Sequence, residues 1–419
     1  MTQTLLVGMP TKSKAEGTAR MKVVGIGDAG CDIINRVMRK GLVGVDFIAM
    51  NTDAQALVLL EAPNRILLGE KLTKGLGVDG NPELAFEATE ESRHAIDEAI
   101  VGAEVVLVIA GMGGGTGTGG IPVVAEIARA SGCLTIAVVT KPFSFEGGHR
   151  AEVAERGIFS LSSKVDTLII VPNDRLLNIC DTTATVDQGF KIASDALFQA
   201  TQAICEVTVS SPGAISVEFA DIKALMKDAG LGHMSMGKSS GQDRAVEAAK
   251  TALTSPLIDI PMNEASSVLF NIKGGSSLTL LECNEAAQVI SRAVDPNANI
   301  VFGVVFDPEM NDEVNITIIA MRFGNRHGEE LLGLRGFLSE ITGFQEAKAF
   351  FEANHKKLLA KYEGKYIAIL NREVVDVDDY FSLLAERVYN RYSYRDIYMP
   401  KVERRKTILH IPTPQVMRK

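Results

Sequence analysis

The 419-residue chain predicts an α/β protein: a doubly wound parallel-sheet domain, a long central helix, a second α/β domain and a small C-terminal α+β module. Three observations carry this. Over 21–174, short apolar runs that end in polar residues alternate with helix-like stretches, the pattern of parallel strands joined by crossover helices. One of those runs, VVLVIA at 105–110, is continuous and β-branched, as a strand buried on both faces requires, and it leads directly into a glycine-rich loop. Helical spacing then continues over 186–204, long enough for one continuous central helix.

The elements follow in order. Residues 1–20 read as a loose arm, with no apolar core long enough for a signal peptide. MKVVGIG is a strand ending in glycines, 31–40 is helical, and VDFIAMNTD is a strand with a polar end. Residues 81–101 read as one helix, with Asn81 as its cap and Pro82 at its first position. After the glycine loop, IPVVAEIARASG is helical, with Pro122 expected in the first turn, where a missing N–H costs nothing. LTIAVVTKPF and VDTLIIVPND are strands. Doubly wound sheets bind ligands beyond the carboxyl ends of their strands. The polar ends Asn51, Asp53, Lys141, Asn173 and Asp174 should therefore gather there with the glycine loop.

The expected boundaries are 21–185 for the first domain, 186–206 for the central helix and 207–325 for the second domain. In that second domain, VLFNIKGG, NIVFGVVFD and EVNITIIAMRF are strands and EAAQVISRAV a helix. From 326 to 419 the pattern changes to an amphipathic helix (GFQEAKAFFEANHKKLLAKY), a hairpin (YIAIL-NRE-VVDV), a helix (DDYFSLLAERVYNRY) and a basic end. The last 25 residues hold seven Lys or Arg against two acids. That end suits an acidic partner or an anionic membrane surface, or simply a solvated tail that packs on its own subunit.

Composition excludes several classes. At 46% hydrophobic and 23% charged the chain is an ordinary folded protein. A formal net charge of −9 argues against a general nucleic-acid binder. Five scattered cysteines form no CxxC or Cys/His cluster, which speaks against structural zinc and a disulfide framework and fits a reducing cytoplasm.

Seven of residues 111–120 are glycine. Bare backbone lets a ligand approach closely, and successive N–H groups at a helix N-terminus attract anions. Thr116 and Thr118 add hydroxyls. The plainer reading is tight packing against a neighbouring helix, but a turn needs one or two glycines, so phosphate binding is the favoured expectation. No GK[ST] follows, which excludes a P-loop.

GMGGGTGTG (111–119) matches the glycine motif of the tubulin/FtsZ superfamily. Around it stand NTDAQAL (51–57), TKGLG (73–77), VVTKPFSFEGGHR (138–150), VPNDRLL (171–177), EFADIK (218–223), SGQDRAVEAAKTALTSPL (240–257) and DPEMNDEVNITIIA (307–320). In this order, over roughly 21–324, they resemble bacterial FtsZ rather than eukaryotic tubulin. The resemblance implies a cytoplasmic GTPase of the division site that binds GTP or GDP with Mg2+ and polymerises head to tail with itself. It implies that the first loop (Gly27, Asp28, Ala29, Gly30, Asp32) and the glycine loop (Gly113, Gly114, Gly115, Thr116, Gly117, Thr118) hold phosphates, with Asn51 beside them. Glu146 and Arg150 would contact ribose and α-phosphate. Asn173 and Asp195 would hydrogen-bond guanine, with Phe190 against the base, although Asp195 also reads as an ordinary exposed helix position. Ser216, Glu218 and Asp221 would act on the neighbouring subunit's nucleotide. The plainer reading of the two acids is that they cap the helix that follows.

The chain departs from the family pattern in four places. The first loop, GDAGCD, adds Asp28 and Asp32 where the family has glycine and a final asparagine. Val78-Asp79-Gly80 replaces small residues near the γ-phosphate. Ser216 and Glu218 replace an asparagine and an aspartate. A basic module stands where a long linker and a short partner-recruiting peptide are usual. These changes bear on hydrolysis more than on binding. The competing reading is a nucleotide-binding structural or regulatory relative, with little turnover, that caps another FtsZ. A Rossmann dehydrogenase fits poorly, because the second glycine loop and NDRLL have no place in one.

Overall fold

The computed structural model describes residues 19–42, 44–177, 185–209, 217–257, 261–323, 347, 350–370, 372–380, 383–384, 387–388, 391 and 398–403. Ser216, Cys180, most of the N-terminal arm and the last sixteen residues of the basic end lie outside the described residues. The chain divides into two compact units, Met1–Glu329 and Glu330–Lys419.

The first unit runs β1 (Met21–Ile26), α1 (Gly27–Arg39), β2 (Val45–Asn51), α2 (Ala54–Val58), β3 (Asn64–Leu67), α3 (Glu70–Thr73), α4 (Pro82–Glu91), α5 (Arg93–Ile100), β4 (Val105–Gly111), α6 (Thr116–Ala130), β5 (Leu134–Lys141), α7 (Gly148–Ser162), β6 (Thr167–Pro172) and α8 (Asn173–Leu176). It continues with α9 (Val186–Thr208), α10 (Phe219–Met226), β7 (Gly230–Ser240), α11 (Arg244–Leu253), β8 (Ala265–Gly274), α12 (Leu280–Ala293), β9 (Asn299–Phe306) and β10 (Glu313–Phe323). All ten strands form one sheet, ordered β3-β2-β1-β4-β5-β6-β7-β10-β8-β9. From β3 to β7 it is parallel, and β10 runs antiparallel to both its neighbours. The fold is thus α/β with a mostly parallel sheet.

The expected second sheet is continuous with the first. The join is β7, which pairs with β6 from Thr167–Gly230 to Ile169–Gly232. Its sequence, GLGHMSMGKSS, is rich in glycine and serine and lacks a β-branched run, so its strand character comes from its two neighbours rather than from propensity. The expected helix over 81–101 breaks at Ser92 into α4 and α5. There the Ser92 hydroxyl accepts a hydrogen bond from the Gly69 N–H at 2.9 Å. Asn81 does cap α4, accepting from the Leu84 N–H.

Residues 105–110 of β4 are fully buried, and Val105, Leu107 and Ile109 lie in a core with side chains of α1 and α9. In the second part of the sheet, the buried Arg244 ties α11 to α12. It donates to Glu282 at 2.8 Å and to Asp312 at 2.7 Å. That hydrogen bond, opposed by partial burial, pulls the Glu282 carboxyl down to about 2. A carboxyl depressed in the folded state stabilises above its ordinary value and loses that contribution as pH falls through its folded value. Glu282→Gln should therefore cost roughly 1.5–3 kcal/mol near neutral pH. In thermal melts the gap from wild type should be widest above about pH 4.5 and close as pH falls towards 2.

The second unit contains the expected hairpin, β11 (Tyr366–Leu370) against β12 (Glu373–Asp378), antiparallel. Residues 398–402 pair along the other side of β11. A helical stretch over 350–362 places Phe351 and Leu358 with Ile367 and Ile369, and Leu384 and Val388 cluster with Ala368.

Candidate functional site

The carboxyl ends of β1, β2, β4, β5 and β6 surround a cavity of about 610 Å3. Helices α1 and α6 both point their N-termini into it. These helices meet at Gly27 and Gly117, where a Cβ on Gly27 would come within 3.1 Å of the Gly117 nitrogen. Neither helix has a side-chain cap, whereas α2, α4, α9 and α12 are capped by Asp53, Asn81, Thr185 and Thr279. Two uncapped helix N-termini present a convergent set of N–H donors and partial positive charge, the arrangement that binds phosphate.

The seven glycines of 111–120 divide into two jobs. Gly113 (φ 97°) turns the loop, and its N–H donates to the buried Thr118 hydroxyl at 2.9 Å. A Cβ on Gly114 would meet nothing within 4 Å, and Gly114 and Gly115 line the cavity with Thr116 and Gly117. Close packing also requires glycine in this stretch, at Gly117 as well as at Gly119 and Gly120. A Cβ on Gly119 would sit 2.0 Å from the Pro82 carbonyl oxygen, one on Gly117 2.6 Å from the Gly111 oxygen, and one on Gly120 2.9 Å from the Thr89 hydroxyl. The helix begins at Thr116, so Pro122 lies inside it and not in its first turn.

At the other end of the cavity stand Phe190 and Asn173, with Phe143 and Phe145 packed against Phe190 outside the lining. Phe143 and Phe145 stack with centroids 4.9 Å apart, and Phe190 meets Phe143 edge-on at 5.4 Å. Asn173 is buried on the wall, and its Oδ1 has no hydrogen-bond partner, which fits an acceptor awaiting a ligand donor. Glu146 accepts from the Phe143 N–H at 2.9 Å and from Arg150 at 2.6 Å.

Of the sequence-predicted residues, Gly27, Asp28, Ala29, Asp32, Asn51, Gly114, Gly115, Thr116, Gly117, Glu146, Arg150, Asn173 and Phe190 line this cavity. Gly30, Gly113, Thr118 and Asp195 do not. Gly30 packs on β4, where a Cβ would lie 2.3 Å from the Ile109 oxygen, and Thr118 braces the loop from behind. Asp195 instead forms an ion pair with Arg36, and its neighbour Ser194 takes the wall position. The signal was available: four residues on from Phe190 lies about 40° around the helix, five lies about 140°. The wall also contains Asp53 and residues 78–80, which the sequence places near this edge, and Thr52, Leu76, Gly77, Thr140 and Pro142, which sequence reasoning did not assign. Asn51 donates to Asp28 at 2.8 Å, and the Thr52 and Thr116 hydroxyls bond at 2.7 Å. Burial, with smaller contributions from Asp28 and Asp32, pushes the Cys31 thiol up to about 12, against the pull of a Met50 backbone hydrogen bond. It is therefore a protonated, inert neighbour of the site.

Glu218 and Asp221 stand elsewhere. Both are exposed, at the start of α10. Glu218 occupies the N-cap position but makes no side-chain cap hydrogen bond, so capping does not account for it. The end of α10 is held by the Thr167 hydroxyl, which donates to the Met226 carbonyl. Thr167 begins β6, and Asn173, at the cavity, directly follows its end. One strand length, about 20 Å at 3.3 Å per residue, separates that anchor from the cavity.

The family model for the Tubulin/FtsZ family, GTPase domain, matches residues 20–181, and that for the FtsZ family, C-terminal domain, matches 230–324. An FtsZ dimer from M. jannaschii is 39% identical, with a TM-score of 0.72, over 74% of this chain and 90% of its own. The chain belongs to the FtsZ family, within the tubulin superfamily. Two CetZ proteins of Haloferax volcanii share the fold. A GDP-bound CetZ1 monomer is 21% identical (TM-score 0.63, 75% of this chain, 98% of its own), and a GTPγS-bound CetZ2 protofilament is 17% identical (0.62, 77%, 99%). The FtsZ-family matches end at residue 324, before the unit that begins at Glu330.

Proposed function

We propose that the chain binds guanine nucleotide in this cavity, assembles head to tail in the cytoplasm and hydrolyses GTP at the contact between subunits. Membership of a GTPase family supports the nucleotide and the reaction class. The observation that supports the shared site is that the exposed acids Glu218 and Asp221 take no part in the cavity wall, and that the end of their helix is anchored at the opposite end of β6 from Asn173. One copy does not bring the two together, whereas a head-to-tail neighbour presents its α10 to the open cavity. Such a contact repeats without closing and yields a filament.

In this reading the phosphates lie across the N-termini of α1 and α6, and the base lies among Phe190, Phe145 and Asn173. Mg2+ would offset triphosphate charge beside the wall carboxylates, of which Asp28 and Asp53 already accept hydrogen bonds from Asn51 and the α2 backbone. The neighbour's Asp221, aided by Glu218, orients water and takes its proton. The water oxygen bonds to the γ-phosphorus as the bond to the β-phosphate oxygen breaks, releasing GDP and phosphate. Phosphate release per molecule, followed across protein concentration, tests this. It should rise above a threshold together with light scattering. GTP binding with no turnover at any concentration would favour a static, regulatory relative instead.

A further inference from the structure

The short helix α10 carries Glu218 and Asp221 at its start and is tied down at its end. Its first turn has no side-chain cap, whereas side chains from three other elements reach its carbonyl end or the residue just beyond. The Thr167 hydroxyl of β6 donates to the Met226 carbonyl. Arg129, in the last turn of α6, donates to the Asp228 carboxylate at 2.8 Å. Arg322, near the end of β10, donates from Nη2 to the Lys227 carbonyl at 2.9 Å and to the Ala224 carbonyl at 3.3 Å. A helix leaves such carbonyls unpaired at its C-terminus, where its dipole also favours a cation.

Arg322 makes this reach from an unusual backbone. Its φ is 56°, in the left-handed region, between Met321 and Phe323, which keep their pairing with Ser267 and Ala265. A residue with a Cβ occupies that region only at a cost, which glycine avoids. The Ser266 hydroxyl, donating to the Arg322 carbonyl at 2.7 Å, holds the bend. If only the bend mattered, glycine would serve better, so the gain from arginine lies in its guanidinium. Arg322 is exposed, and the packing of α10 is carried by the buried Ile222, Leu225 and Met226. Loss of the guanidinium should therefore leave the helix folded and change its tilt. Over eight residues α10 is about 12 Å long, so a tilt of about 5° at the anchored end carries the free end about 1 Å. A misplacement of about 1 Å at the reacting groups can cost about 10²-fold in rate.

We propose that Arg322 is a positioning residue for hydrolysis: it sets the tilt of α10, and so where Glu218 and Asp221 stand at the neighbouring subunit's nucleotide. This rests on hydrolysis at the subunit contact, as proposed above. The test compares Arg322→Ala, Arg322→Gly and Arg322→Lys in the full chain, at saturating GTP and above the assembly threshold. Arg322→Ala and Arg322→Gly should release phosphate roughly 10- to 100-fold more slowly than wild type. Their affinity for a fluorescent GTP analogue and their assembly threshold should stay within about threefold. Arg322→Gly adopts the bend without strain and carries the comparison should the alanine variant fail to fold. Arg322→Lys, which keeps a cation but not the planar fork, should fall between. The defect should also be one-sided. Arg322→Gly keeps its cavity, so mixed with Thr116→Arg, whose cavity is filled and whose α10 is intact, it should exceed the sum of the two alone. Mixed with Asp221→Ala it should not, since neither variant then supplies a working α10. If Asp221→Ala and Thr116→Arg do not complement each other, the shared site itself fails before Arg322 is compared. Given that complementation, the proposal is overturned if Arg322→Gly turns over GTP at the wild-type rate, which would leave Arg322 as a bend in a strand. It is equally overturned if Arg322→Gly loses nucleotide binding or assembly along with turnover, or gains nothing from Thr116→Arg.

Discussion

Asp221→Ala should slow phosphate release about 10²–10⁴-fold while leaving nucleotide binding and assembly in place. The size follows from its role as a positioned base for water, and the selectivity follows from where it stands. Asp221 is exposed in the first turn of α10 and forms no part of the cavity wall, so its loss removes no contact to bound nucleotide. Surface substitutions of this kind shift stability by about 0.5 kcal/mol or less. Filaments of the variant should persist, since the nucleotide that holds them together is no longer consumed. Glu218→Asp should keep or raise the rate, because it shortens a group that reaches the same water. Single-turnover phosphate release and sedimentation separate the effects. A variant that hydrolyses normally, or that fails to bind GTP, contradicts the assignment.

Gly119→Ala is expected to lose more stability than any change at the wall, although Gly119 is not on that wall. Its Cβ would lie 2.0 Å from the Pro82 carbonyl oxygen and 2.9 Å from the Phe86 nitrogen, both backbone atoms that cannot swing away. Helices α4 and α6 must separate, and overpacking of this kind costs about 3 kcal/mol or more. For a body of this size that lowers the melting temperature by roughly 4–5 °C. Gly114→Ala is the contrast. Its Cβ meets no protein atom within 4 Å, so the fold should survive, but the methyl enters the phosphate end of the cavity. Melting curves and GTP titrations of the two variants should therefore diverge in opposite senses.

That pair of glycines also shows how far the chain was readable. Backbone freedom and close packing both call for glycine, so 111–120 marked the site without telling which residues face the ligand. Strands with β-branched runs, such as β4, were plain because burial on both faces demands them. β7 was not, since glycine and serine carry no strand preference and its neighbours impose the conformation. Motif matching weighs residue type and named Asp195, which does not line the cavity. The helix sorts by angle, and the angle puts Ser194 on the wall.

The claim that catalysis is shared between neighbours has a direct test in mixing two inactive variants. Asp221→Ala keeps the cavity and lacks the water-orienting acid. Thr116→Arg keeps that acid and fills the phosphate end, where Thr116 lies against Thr52. An interface between the first variant's cavity and the second variant's α10 is complete. If the site is shared, an equal mixture should hydrolyse GTP well above the sum of the two alone. The ceiling is about a quarter of the wild-type rate, since one in four random head-to-tail contacts has both halves. A mixture that never exceeds that sum, at concentrations where wild type is assembled and active, would place the whole reaction within one chain and contradict the account.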